Sequence, residues 1–295
     1  MKRYLLLFLA FSFELCLAQN HRFTYEYRFR TDSTRTDSLR KEIMNLDVFE
    51  DHSVYYGQIR FASDSIMLNS IIDQQKNTPG NYSVSNGMDD WNVSEIVKKK
   101  YPDFSVSWLT MVGSETLEVS EKPDFGWKIS NEMQKIADYS CQKATVDFAG
   151  RKWTAWFTTE IPIPEGPYKF YGLPGLIVKI TDKTGTHQFM LKGNSKIGLE
   201  TKSWDFIEDL TRQAYAGNEK ALEINRKQYE KLSREYRNDP TKQIRQELSQ
   251  PGVSMVVRTG DGRRITETVE LIRYHEERER EKMKRKNNPI ELIQD

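Results

Sequence analysis

The stretch that decides the fold reads Lys143-Ala144-Thr145-Val146-Asp147-Phe148-Ala149-Gly150-Arg151-Lys152-Trp153-Thr154-Ala155-Trp156-Phe157-Thr158. Ala144, Val146 and Phe148 alternate with polar residues. Ala149-Gly150 supplies a turn, and Trp153, Ala155 and Phe157 then resume the alternation. Apolar side chains at every second position face one side of a strand, so this is a β-hairpin with one buried face. Trp156 falls on the other face, which is therefore not wholly bare. Downstream, Pro162, Pro164 and Pro167 interrupt residues 160–167. Proline cannot donate to a ladder, so this segment is an extended connector and not a central strand. In Leu173-Pro174-Gly175-Leu176, Pro174 presets φ for the second position of a turn and Gly175 supplies the positive φ of the third, which predicts a type II turn. Residues 176–180 then form a strand, 182–185 a turn, and 186–192 the return strand.

Working outward, Phe23, Tyr25, Tyr27 and Phe29 alternate with polar residues and predict an N-terminal strand. Residues 39–50 suit a short helix or a strand. Residues 53–61 and 64–68 read as extended, 77–90 as a polar loop, and 91–100 as a short helix ended by Tyr101-Pro102. Short strands are expected around Leu117-Glu118-Val119 and Trp127-Lys128-Ile129. After about residue 200 the character changes. Asn218 can cap a helix over 219–237, whose Leu222, Tyr229, Leu232 and Tyr236 form one stripe. Asp239-Pro240 starts a second helix, stopped by Pro251-Gly252. Residues 253–258 read as a strand, followed by a turn at Gly260-Asp261-Gly262. Ten of the eleven residues 276–286 are charged, as on a solvated helix.

Composition bounds the chemistry. The 295 residues include 37% hydrophobic and 12% aromatic side chains. Aromatic rings must supply much of the core, which suits β-sheet. Lys2 and Arg3, the apolar run to Phe13, and small residues at Cys16 and Ala18 form a secretory signal pattern with cleavage after Ala18. Removing Lys2, Arg3 and Glu14 takes the formal charge from +1 to 0 (+1 − 2 + 1). A neutral chain has no global field to attract nucleic acid. No later stretch is apolar enough for a transmembrane helix.

The mature chain keeps one cysteine, Cys141, read as a small buried hydrophobe. His21, His52, His187 and His275 show no metal-ligand spacing. No nucleophile elbow or phosphate loop is present. Carboxylate pairs such as Asp147 with Glu160 or Asp182 could in principle serve a glycosidase. No catalytic, cofactor or metal residue is assigned. Trp156, Tyr168 and Tyr171 stand out as a candidate aromatic binding face, beside the plainer reading as sheet core.

Several words stand in one order: Tyr139-Ser140-Cys141-Gln142-Lys143-Ala144, Gly150-Arg151, Ala155-Trp156-Phe157, Glu160-Ile161-Pro162, Gly166-Pro167, Phe170 and Gly172-Leu173-Pro174-Gly175-Leu176-Ile177. With Asn287-Asn288-Pro289-Ile290-Glu291-Leu292 at the end, this resembles the GLPGLI family of exported proteins from Bacteroidota. The resemblance spans nearly the whole chain, most specifically residues 127–182, and is least typical over 251–262. It implies a periplasmic, cell-envelope or secreted location. It carries no established activity, no catalytic residues and no cofactor. Its motif of Gly172, Leu173, Pro174, Gly175 and Leu176 reads as architecture: a turn and a buried strand.

The expected fold is α+β. A twisted antiparallel meander, curling towards a half-open barrel, is followed by C-terminal helices. The expected organisation is a signal peptide over 1–18, an antiparallel β domain over 19–200 and a charged, mainly helical region over 201–295. The expected function is non-enzymatic binding of an apolar ligand or an envelope protein. The alternatives are a hydrolase using paired carboxylates and a structural or assembly factor for outer-membrane machinery.

Overall fold

The computed structural model describes residues 20–77, 93–198, 201–215 and 221–292. The expected leader at 1–18, the polar loop after Asn77 and the cap at Asn218 lie outside the described residues. Strand β1 (His21–Arg30) buries Phe23, Tyr25, Tyr27 and Phe29 on one face, as their alternation requires. The segment that suited either state is strand β2 (Leu39–Val48), antiparallel to β1. Strand β3 (His52–Gly57) follows, and the expected extension beyond it is corrected: Gln58–Asn77 is helix α1. Its apolar stripe, Phe61, Leu68 and Ile71, is interrupted by Asp64, which Arg60 neutralises at 2.6 Å. A polar residue inside the stripe hides a helical period from a sequence reader.

A second correction concerns 91–100. Ile96–Lys100 is strand β4, laid between β3 and β5 (Ser105–Val112). The lysine run looks solvated, yet Lys99 is fully buried and Lys98 pairs with Glu208. The strands continue as β6 (Glu115–Glu121), β7 (Lys128–Ile136), β8 (Tyr139–Phe148), β9 (Arg151–Thr158), β10 (Leu176–Asp182) and β11 (His187–Lys196). Beyond them lie α2 (Trp204–Ala214), β12 (Leu222–Asn225), α3 (Arg226–Asn238), α4 (Lys242–Leu248), the small β13–β14 pair (Val257–Arg258 and Arg264–Ile265) and α5 (Thr268–Arg285). The helix expected over 219–237 begins later. Asn225 caps it through the Gln228 N–H, while Leu222 belongs to a strand.

Twelve strands join one mixed sheet in the order β12-β6-β5-β4-β3-β2-β1-β11-β10-β9-β8-β7. Every pairing is antiparallel except β12 with β6, and the sheet ends at β12 and β7 without closing into a barrel. The architecture is α+β with C-terminal helices. Helices α1 and α2 cover Val54, Tyr56 and Ile96 on what we call the outer face. The inner face holds the larger core, including Trp153, Phe157 and Ile177, each at most 1% exposed. It is crossed by the connector of residues 159–175.

The expected type II turn is also corrected. The Gly175 N–H donates to Leu173 O at 2.7 Å, closing a three-residue turn centred on Pro174. Proline's fixed φ suits the centre of such a turn. Gly175 has φ +154°, and a Cβ there would overlap the Thr158 carbonyl at the end of β9. The turn is thus pressed onto backbone, which only glycine permits. Gly172 also has positive φ, at +89°, but faces open space. Gly175→Ala is expected to cost about 3 kcal/mol or more, and Gly172→Ala about 1 kcal/mol. Urea denaturation of both variants checks the contrast; equal costs would remove the close-packing account.

Candidate functional site

The inner face is not sealed. Between β5, helices α3–α5 and residues 286–291 lies a cleft of about 1070 Å³, bordered by Trp108, Tyr229, Tyr236 and Tyr274. Beside it, over strands β1, β3 and β11, is a smaller aromatic pocket of about 190 Å³. The two share Glu95, Tyr168, Lys286, Pro289 and Ile290 as lining, so they adjoin.

Strand alternation builds the pocket floor. Tyr27 on β1 stacks on Phe189 of β11 with centroids 4.1 Å apart. Tyr55 of β3 meets Phe189 edge-on at 6.3 Å and Tyr168 of the connector at 6.5 Å. His187 completes one wall, its Nδ1 2.7 Å from the Tyr27 hydroxyl. Burial and the Arg151 guanidinium push the His187 imidazole down to about 4, so it is neutral at physiological pH. The Asn288 backbone also meets the His187 ring, while the Tyr55 hydroxyl has no hydrogen-bond partner among the described residues. Both side chains are 1% exposed. Buried polar atoms are normally paired, and an orphan costs about 1–3 kcal/mol. Tyr55 and His187 both contribute to the lining of the smaller pocket.

Glu95 lines the pocket, and a second carboxylate, Glu42, lies near Glu95 outside that lining. Glu42 on β2 is 3% exposed. Its Oε2 accepts the Val93 N–H at 2.8 Å, while its Oε1 is unpartnered among the described residues. Gly57 on β3 leaves the space that this oxygen fills. Burial, opposed in part by the Val93 amide, and the nearby Glu95 push the Glu42 carboxyl up to about 7. Glu95 lines the pocket, and after burial its charge is the next influence raising the Tyr27 phenol.

The chain end closes the site. The Asn288 N–H donates to Thr31 O at 3.2 Å and the Leu292 N–H to Ala149 O at 2.9 Å. Arg151 reaches Asp182 at 3.1 Å, Asn288 Oδ1 at 2.7 Å and Pro289 O at 2.6 Å. Glu291 receives Tyr168 and Lys169, each at 2.7 Å, and pairs with Arg226. Desolvation alone would raise the Glu291 pKa, but Lys169 and Arg226 hold it below the usual range.

Of the residues singled out from sequence, only Tyr168 lines the pocket. Trp156 points to the face opposite Trp153, beside Lys143 and Lys179 in register. Tyr171 stacks on Phe104 at 4.6 Å and donates its hydroxyl to Pro123 O at 2.6 Å. Residues Gly172 to Leu176 hold the connector to β9. Asp147 is spent on Lys152, Glu160 on the Ser140 N–H and Asp182 on Arg151. Cys141 and His187 sit on β8 and β11, separated by β9 and β10. No group of three or more metal-ligating side chains gathers among the described residues. No helix among them is long and apolar enough to cross a membrane. Glu42 was the readable signal that sequence reasoning missed: it occupies a core position in register with Met44 and Leu46. Glu95, His187 and Tyr55 converge only through sheet pairing and carry no local pattern.

Comparison with known proteins gives a family model described as "Protein of unknown function (Porph_ging)", which matches residues 150–179. This supports kinship with an uncharacterised family over a short stretch that includes the Gly172–Ile177 words, without establishing the GLPGLI name. No curated protein matches. Two solved structures of PNGF-II, in space groups P21 and C2, are similar at 15% identity and a TM-score of 0.47. The alignment covers 75% of this chain but 34% of theirs, so the chain spans about a third of their length. Similarity at that level carries no chemistry across.

The Glu42 carboxyl binds its proton more tightly folded than unfolded. Its stabilising contribution is therefore complete below about 4.5 and lost as pH rises through about 7. Glu42→Gln is expected to gain about 2 kcal/mol over wild type at pH 8 and little at pH 4.5, read by thermal or urea melts. A pH-independent difference would contradict this. Burial likewise pushes the Cys141 thiol up to about 11. Iodoacetamide should label Cys141 only after denaturation, by mass spectrometry; prompt native labelling would show an accessible thiolate.

Proposed function

We propose that this is an exported cell-envelope protein that binds a small ligand, in a cleft between the inner sheet face and the C-terminal helices. The carrying observation is an aromatic pocket lined by Tyr27, Tyr55, Tyr168 and Phe189 that adjoins a 1070 Å³ cleft. A cleft of that size is at the upper end of ligand sites, where apolar walls carry a few placed polar groups. The signal pattern at 1–18 and the family resemblance support the location. Aromatic walls supply burial, and the polar atoms fix orientation.

A second reading has its own observation. Glu42, with its raised pKa, stands near Glu95, and a glycosidase needs one protonated and one ionised acid roughly 5–10 Å apart. The two part on kinetics: a hydrolase loses turnover in both Glu42→Gln and Glu95→Gln, whereas a binder has no turnover to lose.

Native mass spectrometry of the mature protein, purified from the envelope of cells that make it, tests the main reading. We expect a chain starting at Gln19 and a bound small molecule. Val93→Trp, which fills the pocket from its half-buried rim, should release that molecule without unfolding the sheet. A bare protein that is indifferent to Val93→Trp would refute ligand binding, and an uncleaved cytoplasmic chain would refute export.

A further inference from the structure

We propose that the aromatic pocket receives an uncharged aromatic ring of the ligand, with one substituent leading out to the adjoining cleft. This deepens the ligand-binding reading and rests on it.

The two cavities divide their charges unevenly. Glu95 and Lys286, one of each sign, line both, so they stand where the pocket meets the cleft. The residues that line the pocket alone carry no charge at physiological pH. Tyr27, Phe29, Tyr55, Val93 and Phe189 supply most of that wall, and Thr31, His187 and Asn288 the rest. His187 is neutral, because burial and Arg151 push its imidazole down to about 4, and its Nδ1 is engaged by the Tyr27 hydroxyl at 2.7 Å. The Asn288 side chain is taken up by Arg151 at 2.7 Å and by Arg30 O at 2.8 Å. The Tyr55 hydroxyl is itself buried. A charged group that entered would lose its hydration and find no opposite charge beside it, whereas an uncharged apolar group gives up little.

Size and wall geometry select a ring. An apolar cavity of about 150 Å³ holds benzene. This pocket offers about 190 Å³, room for one ring with a short substituent. A longer ligand continues past Glu95 and Lys286 into the cleft, along Trp108 and Tyr229. Tyr27 and Phe189 lie 5° from parallel, while Tyr55 stands at 74° to Phe189 and 79° to Tyr168. Aromatic pairs favour offset-stacked and edge-to-face arrangements. The crossed walls offer a guest ring both, whereas a saturated ring of the same size gains only its burial.

NMR titration of the mature protein with benzyl alcohol tests this, with cyclohexylmethanol as the saturated analogue and tetramethylammonium chloride as a compact cation. Benzyl alcohol should bind at least about threefold more tightly than cyclohexylmethanol, and tetramethylammonium should not bind at the same concentrations. The methyl signals of Val93 and Ile290, both in the pocket wall, should carry the ring-current shifts. Glu95→Gln should leave the affinity unchanged, and Val93→Trp should abolish it. Circular dichroism checks that each variant is folded, and the comparison of the three probes on the unaltered protein stands whether or not Val93→Trp folds. Equal affinity for cyclohexylmethanol, tighter binding of tetramethylammonium, or shifts that miss Val93 and Ile290 would each overturn the assignment. If native mass spectrometry finds a bound molecule without an aromatic ring, the ring assignment falls and the ligand-binding reading stands. If no ligand appears, benzyl alcohol does not bind and Val93→Trp has no effect, both fall together.

Discussion

Two buried lysines, working in opposite directions, hold the connector of residues 159–175 across the sheet, and the rest of the inner face depends on them. Lys99 rises from β4, pairs with Glu165 and donates to Gly166 O at 2.9 Å and Phe170 O at 3.2 Å. Glu165 also accepts Ser53 Oγ at 2.9 Å and Tyr101 Oη at 2.5 Å. Lys169 descends from the connector to Glu121 of β6 at 2.6 Å, with its ammonium 3.1 Å from the centroid of the Trp108 ring. Both lysines are fully buried. Desolvating them is expensive, and their ion pairs with Glu165, Glu121 and Glu291 make it tolerable. Removing one partner would strand a charge, so each pair fixes geometry more surely than it adds stability.

That geometry passes to everything laid over it. With Lys169 fixed, Glu291 has a place to dock, and Arg226 brings the start of α3 to the same carboxylate. Arg151 then donates to the carbonyls of Pro289 and Ile290, so residues 289–290 close against β9. Tyr168, next to Lys169, is thereby set as one wall of the pocket. Asn288 and Glu291 are thus part of the inner layer, whereas most of the charged residues 276–286 are exposed, as expected of a solvated helix. Leu271 and Glu279 of α5 are buried for the same reason.

Glu42 Oε1 and the Tyr55 hydroxyl are among the buried polar atoms without a hydrogen-bond partner among the described residues. Burial favours the neutral form of Glu42 and of His187, which lowers the cost of keeping both inside.

The sheet was largely legible in the sequence. Alternation at residues 23–29 and 144–157, the glycine-bearing turn at 149–150 and the proline-rich connector each encode a local preference, and local preferences survive folding. Legibility failed where a polar residue interrupted a period, as Asp64 does in α1, or where charge disguised burial, as the lysines of β4 do. By itself, the sequence determined an antiparallel, aromatic-rich sheet with charged helices after it, since side-chain period and turn chemistry act over a few residues. Only the tertiary structure decided that β4 would take Lys99 inside, that Glu291 would meet Lys169 from 122 positions away in the chain (291 − 169), and that Tyr27, Tyr55, Tyr168 and His187 would share one pocket. Those outcomes rest on strand order and on Coulombic pairing between distant segments, and neither leaves a trace in local spacing.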